Sequence, residues 1–196
     1  MSNGNGNGNA RRLRIASAWL GGCSGCHMSF LDLDEFLVDL AGIADYVFGP
    51  LVDTKEFPRD VDITLVEGAV TNEDNRELAF AIRENTRVVI SFGDCAVTGN
   101  VTALRNLLGE PEPMLQRVYV EQPDLSGQLP TQVVPALLPT AEPLHELIPI
   151  DAYMPGCPPS AERIKATVMS LAEAILNREP VPRATAWLPP DESRFG

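Results

Sequence analysis

Four cysteines are the residues of this 196-residue chain with the clearest capacity for chemistry: Cys23, Cys26, Cys95 and Cys157. The first two lie three positions apart in the glycine-rich stretch "LGGCSGCHMSF", which begins at Leu20. A C-x-x-C pair is compatible with a redox dithiol, with half of a zinc site, or with the first two ligands of an iron–sulfur cluster. A cysteine after small residues and a short apolar run also resembles the cleavage box of a lipoprotein.

Each cysteine directly follows a segment that is predicted to form a strand. Cys23 and Cys26 come after "LRIASAWL", Cys95 ends "TRVVISFGDC", and Cys157 follows the short apolar segment of "IDAYMPGC". The strands alternate with helical patterns and are continuously apolar, which is typical of a parallel sheet covered by helices on both faces. Ligands of an open parallel sheet gather beyond the carboxyl ends of its strands. We therefore expect the four thiols to meet at one edge of an α/β, flavodoxin-like, three-layer fold.

The remaining elements follow from hydrophobic periodicity and from the residues that start and stop helices. We expect helices over 29–42, 72–85 and 160–177, a short helix within 98–109, and strands over 61–68 and 46–48. Proline-rich residues 111–149 are predicted to be irregular, with short helical turns and little sheet. One domain over 13–180 results, between a disordered Asn/Gly tail over 1–12 and a proline-rich tail over 181–196.

Glycines accompany every cysteine, at positions 21, 22, 25, 93 and 156. A [4Fe–4S] cubane takes one thiolate per iron, and hydrogen bonds from nearby backbone to its sulfurs tune its potential. Glycine permits the tight turns that such a close backbone approach requires. Structural zinc sites of four cysteines usually use two close pairs, whereas this chain has one pair and two single cysteines. A dithiol accounts for the first pair alone, so a cluster and a zinc site both remain open at this point.

The charge balance narrows the classes of partner. Acidic residues outnumber Lys and Arg by 27 to 15, which gives a net charge of −12. A phosphate backbone or an anionic membrane surface would repel such a chain, so nucleic acid is not an expected partner. No apolar run reaches the roughly 18–20 residues that membrane insertion requires. The apolar run over 15–20 is also shorter than the usual signal core of about 7–15 residues. We therefore interpret it as a buried first strand and expect a cytoplasmic protein.

Four blocks resemble one family, in the family's order: "GGCSGCHMSFLD", "VEGAVTNEDN", "SFGDCAVTGN" and "PGCPPSAERI". They span residues 21–164 and resemble the small subunit of [NiFe] hydrogenases, most closely the short small subunit of the soluble, bidirectional, NAD-reducing type. The same superfamily includes the 20 kDa subunit of respiratory complex I. The resemblance implies a non-catalytic electron-transfer subunit of a hydrogen:NAD(P)⁺ oxidoreductase. Its expected partners are the large subunit, which carries the Ni–Fe site, and a diaphorase module with flavin and iron–sulfur subunits.

Carried over residue by residue, the resemblance implies that Cys23, Cys26, Cys95 and Cys157 bind the proximal [4Fe–4S] cluster, and that no residue of this chain is catalytic. Longer small subunits hold further clusters with additional cysteines; no cysteine follows Cys157 here, so one cluster is expected. FMN is a further candidate cofactor because of the fold class, but no glycine-rich phosphate loop follows a strand.

Three other residues lie beside the expected site. His27 is predicted to donate to a cluster sulfur, to face the large subunit, or to be purely structural. Glu67 ends a strand and is predicted to point toward the cluster edge and to contribute a hydrogen bond at the subunit interface, and Asp94 is predicted to orient the Cys95 loop.

The sequence leaves two alternative functions open. The first is a related hydrogenase small subunit whose electrons go to another acceptor, such as a deazaflavin or a heterodisulfide reductase. The second is a zinc-stabilised, flavodoxin-like binding module without a redox role.

Overall fold

Five strands lie side by side in one parallel sheet, in a computed structural model that describes residues 11–122 and 127–181. The strands are β1 (Leu13–Trp19), β2 (Ala44–Phe48), β3 (Val61–Glu67), β5 (Thr86–Phe92) and β7 (Ala152–Met154). Their order is β2-β1-β3-β5-β7, which is the flavodoxin-like order. This confirms the predicted fold class. Residues 1–10 and 182–196, most of the two predicted tails, lie outside the described ranges.

Seven α-helices and one 3₁₀-helix are present among the described residues. They are α1 (Gly25–Leu31), α2 (Phe36–Ile43), α3 (Glu73–Asn85), α4 (Asp94–Thr98), the 3₁₀-helix Asn100–Leu108, α5 (Pro111–Tyr119), α6 (Leu144–Leu147) and α7 (Ala161–Leu176). A second, antiparallel sheet of two strands consists of β4 (Val70–Asn72) and β6 (Leu137–Glu142). None of the helices in the described part of the chain is long and apolar enough to cross a membrane.

Two apolar layers cover the two faces of the parallel sheet. On one face, Ile15, Leu65 and Ile90 pack with residues of α2 and with a stripe of α7 at helical spacing, Ile164, Val168, Leu171 and Ile175. On the other face, strand residues pack with α3, α6 and the small antiparallel sheet. Because β3 is buried along its whole length, both faces of the sheet are covered.

Three details differ from the predicted elements. The predicted helix over 29–42 is two helices, since the chain turns between them and Asp34 has a positive φ of 50°. Helix α1 begins at Gly25, so Cys26 and His27 are helical residues. The prediction of little sheet over 111–149 missed β6, which pairs with the equally unpredicted β4, and the nine-residue helix α5 is longer than a turn.

Helix α7 allows a test of the packing on the first face. Leu171 is fully buried, whereas Leu176 on the same helix is 43% exposed. We expect Leu171→Ala to lower the free energy of unfolding by about 2–5 kcal/mol, because it removes buried methyl groups and leaves a cavity. Leu176→Ala is the matched control and should change it by less than about 1 kcal/mol. Chemical denaturation of both variants measures the difference; equal losses would contradict the assignment of this face.

Candidate metal centre

The turn after β1 carries the first two cysteines, and its backbone is hydrogen-bonded to the segment between β3 and β4. Gly21 donates to the carbonyl of Ala69 and accepts from its N–H, both at 2.9 Å. A side chain at Gly21 has no room, since its Cβ would lie 2.3 Å from the Thr71 Cγ2 atom. Ser24 then takes a left-handed conformation and α1 begins. Cys23 is therefore exposed on the turn, and Cys26 is buried in the first turn of α1.

The turn after β5 brings Cys95 to the same edge. Gly93 has a φ of +81°, and Cys95 follows it as a buried residue in the first turn of α4. A Cβ on Gly93 would lie only 2.2 Å from the Cys26 sulfur. The sulfur of Cys26 thus packs directly against the backbone of the Cys95 turn.

The loop after β7 places Cys157 beside the Cys95 turn. The Asp94 carboxylate accepts from the Gly156 N–H at 2.7 Å, and the Asp94 N–H donates to the Gly156 carbonyl at 2.9 Å. Asp94 therefore ties its own turn to the neighbouring loop. The side-chain amide of Asn100 donates to the Cys157 sulfur at 3.5 Å, and Cys157 itself is exposed.

Electrostatics show that the four thiols share one neighbourhood. Burial raises the pKa of the Cys26 thiol far above its usual value, and Glu67 and the other three cysteines raise it further. Burial also raises the pKa of Cys95, with contributions from Cys23 and Cys157. Four thiolates do not accumulate in such a place unless a cation offsets their charge. The buried pair is thus suited to bind a metal centre and to release its protons on binding.

The donor set fits an iron–sulfur cluster. All four cysteines are free thiols, and thiolate sulfur is the ligand that iron–sulfur clusters and zinc prefer. Within the described residues, no three His, Cys, Asp or Glu side chains are grouped closely enough to bind one metal ion. A cubane does not require such a group, because each of its irons takes one thiolate. The structure places the four cysteines at one edge of the sheet; that they bind a cluster remains a prediction.

His27 and Glu67 contact one another beside Cys26. The Nδ1 atom of His27 is hydrogen-bonded to the Glu67 carboxylate, which also accepts from the His27 backbone N–H at 3.2 Å. Two further residues join them that the sequence did not single out. Ser17 contacts His27 Nε2, and Tyr46 contacts Ser17. The available signal was weak: Ser17 carries a hydroxyl among the small apolar residues Ala16 and Ala18, and its significance appears only once the order of the strands is known.

Comparison with known proteins assigns the chain to a family. The family model described as NADH ubiquinone oxidoreductase, 20 Kd subunit, matches residues 23–171. The delta subunit of the NAD-reducing hydrogenase HoxS of Cupriavidus necator is 36% identical over 158 residues, which are 78% of this chain and 75% of that subunit. The chain belongs to the hydrogenase small-subunit family. The resemblance seen in the four sequence blocks is thereby confirmed.

Two further similarities describe this small subunit. A chain in the crystal structure of an NAD⁺-reducing [NiFe]-hydrogenase in the H₂-reduced state is 35% identical, with a TM-score of 0.82. The alignment covers 95% of this chain and 100% of that one. A subunit of the F420-non-reducing hydrogenase of Methanothermobacter thermautotrophicus is 40% identical over 168 residues, which are 83% of this chain. The chain spans about half of that relative's length, with 54% covered.

Gly93 provides a test of whether the Cys26 sulfur needs the bare backbone. We expect Gly93→Ala to remove most of the iron and sulfide from the purified protein, because the new methyl group would displace the Cys26 sulfur. Gly109→Ala is the matched control, since Gly109 has the same φ of +81° but no atom within 4 Å of its Cβ position. Both glycines combine a positive φ with an extended ψ, 163° at Gly93 and −141° at Gly109, so both variants bear backbone strain of about 1–3 kcal/mol. Equal iron contents in the two variants would contradict the close contact.

Proposed function

We propose that this chain is the electron-transfer subunit of a cytoplasmic, NAD- or NADP-linked [NiFe] hydrogenase, and that Cys23, Cys26, Cys95 and Cys157 bind its single [4Fe–4S] cluster. The observation that supports this most is the convergence of the four free thiols on one edge of the sheet. Such a cluster, when bound, supplies transfer of one electron at a time. The chain holds four cysteines in all, so one cluster uses every thiol.

The burial of the cysteines suits a relay. Cys26 and Cys95 are buried and Cys23 and Cys157 are exposed, so one side of the site faces the protein interior and the other faces outward. The inner side excludes water, and the outer side is left for contact with another subunit. We infer that the partners are the large subunit with the Ni–Fe site and a diaphorase module that reduces the nicotinamide. This subunit would not activate hydrogen alone, since it has one C-x-x-C pair rather than the two that hold nickel and iron in this family.

The NAD-linked class is favoured over a different acceptor. Its support is the TM-score of 0.82 to the chain of an NAD⁺-reducing [NiFe]-hydrogenase and the 36% identity to a subunit of an NAD-reducing one. The second candidate, a small subunit that serves another acceptor, is favoured by the 40% identity to a subunit of an F420-non-reducing hydrogenase. Assay of the anaerobically purified complex with hydrogen and NAD⁺, NADP⁺ or a deazaflavin separates the two.

FMN is not part of the proposal for this site. In a flavodoxin-like fold the expected place for its phosphate is the turn between the first strand and the first helix. Here that turn carries Cys23 and Cys26, and the Glu67 carboxylate already accepts from the His27 N–H in the first turn of α1. A phosphate at this place would meet a buried negative charge.

Metal analysis provides the first test. We expect the anaerobically purified complex to contain about four irons and four sulfides attributable to this subunit, as a cubane requires. The comparison is with a complex in which all four cysteines of this chain are replaced by serine, which isolates the contribution of this chain. One zinc without sulfide would support the zinc-stabilised binding module and would reject the relay.

Substitution of a single ligand provides the second test. We expect Cys95→Ser to lower hydrogen-dependent NAD⁺ reduction by more than about 10-fold, since even changes outside the ligand sphere cost metal sites about 10–100-fold. Thr98→Ser on the same short helix keeps its hydroxyl and is the matched control, with an unchanged rate. Circular dichroism of both variants checks that the fold is retained. A normal rate in a folded Cys95→Ser complex would show that Cys95 is not a ligand.

A further inference from the structure

A continuous chain of four hydrogen-bonded side chains leads from the surface to the helix that carries Cys26. The Tyr46 hydroxyl contacts the Ser17 Oγ atom at 2.5 Å, and Ser17 Oγ contacts His27 Nε2 at 2.7 Å. The other ring nitrogen of His27 is hydrogen-bonded to Glu67. Both nitrogens of the imidazole are therefore occupied, which fixes the orientation of the ring.

The four residues come from four different elements. Tyr46 lies on β2, Ser17 on β1, Glu67 at the end of β3 and His27 on α1. Ser17 and Glu67 are 3% and 1% exposed, so water does not compete for their hydrogen bonds. Tyr46 is 40% exposed and forms the outer end of the chain. The chain thus links three adjacent strands of the sheet to one short helix.

Glu67, the innermost residue of this hydrogen-bonded series, acts as a helix cap for α1. Ser24 precedes α1 but has a φ of 65° and makes no side-chain hydrogen bond to the helix. The Glu67 carboxylate instead accepts from the His27 N–H in the first turn, which a cap residue would otherwise satisfy. Its second oxygen lies where a Cβ on Gly22 would be 3.3 Å away, so the glycine leaves room for it. Cys26 directly precedes His27 in the same helical turn. The hydrogen bonds that fix His27 therefore also restrict the position of Cys26.

We propose that Tyr46, Ser17 and His27 are positioning residues for Cys26, which together with Glu67 fix the place and direction of its sulfur. This inference rests on the proposed function, since it concerns the Cys26 ligand of the cluster. The three residues do not touch the ligand sulfur; they act through the orientation of the imidazole and through the first turn of α1. Loss of a link should change the surroundings of the cluster while the fold and the cluster content are retained.

A double-mutant cycle in the complete hydrogenase complex tests this. The variants are Ser17→Ala, Tyr46→Phe and the two combined, with Tyr153→Phe as the control, because Tyr153 on β7 contacts His145 and lies outside the chain of hydrogen bonds. The readouts are the EPR spectrum of the reduced complex and the midpoint potential from a redox titration. Differences from the unsubstituted complex isolate this cluster, because all other subunits are unchanged.

We expect Ser17→Ala to shift both the spectrum and the potential, and Tyr46→Phe to shift them less. Since the hydrogen bonds among the described residues connect Tyr46 to His27 through Ser17, Tyr46→Phe should add nothing in the Ser17→Ala background. Tyr153→Phe should shift neither. Spectra and potentials unchanged in both single variants, or shifts that add in the double variant, would overturn the inference.

Two further measurements keep the outcome decisive. Iron and sulfide contents are determined for every variant. If Ser17→Ala loses its cluster, the result for Tyr46→Phe alone decides the test. That substitution keeps the half-exposed ring and removes a single oxygen atom, so it should not disturb the fold. Absence of a cluster from the unsubstituted complex would reject the proposed function. A cluster that is present but insensitive to both substitutions would reject only the positioning role.

Discussion

The sulfur of Cys26 lies against bare backbone, and the site depends on that contact. At position 93 a single methyl group would come within 2.2 Å of it, and at position 21 a methyl group would come within 2.3 Å of Thr71. The turns at this edge of the sheet are thus in close contact. Parallel strands make this possible, because all of them end on the same side. Hydrogen bonds between turns, such as those of Asp94 with Gly156, then fix how the turns sit together.

Burial divides the four cysteines into two pairs with different physical roles. Burial raises the pKa values of Cys26 and Cys95, so these two thiols favour their neutral form until a cation compensates the charge. The negative charge of Glu67 acts in the same direction on Cys26. The other two cysteines, Cys23 and Cys157, are exposed. Metal loading and ordering of this edge are therefore expected to occur together, as in other thiolate sites where binding stabilises the fold.

The sequence predicts well those helices and strands whose structure follows from their own local residue pattern. Strands β1, β3 and β5 are mostly apolar, and α7 shows an apolar stripe after a Ser160 cap, which accepts from Arg163 N–H. What it missed depends on contacts between distant segments. The β4–β6 pair joins residues about 70 positions apart, and three-residue β4 has too little sequence to show a period. The sequence does not predict the break between α1 and α2 at Asp34, because the apolar residues keep their helical spacing across it.

Glu67 shows why the detailed site required the structure. Its position at the end of β3 predicts that it lies near the cysteines. Its role as a helix cap could not be predicted, because it depends on how α1 begins: the left-handed Ser24 before α1 makes no side-chain hydrogen bond to the helix. A carboxylate from the neighbouring strand replaces that cap, and the same negative charge makes the turn unfavourable for a phosphate. The turn at which many flavodoxin-like folds bind an anionic cofactor instead carries Cys23 and Cys26 here. One buried carboxylate thus both caps the first turn of α1 and makes that turn unfavourable for a phosphate.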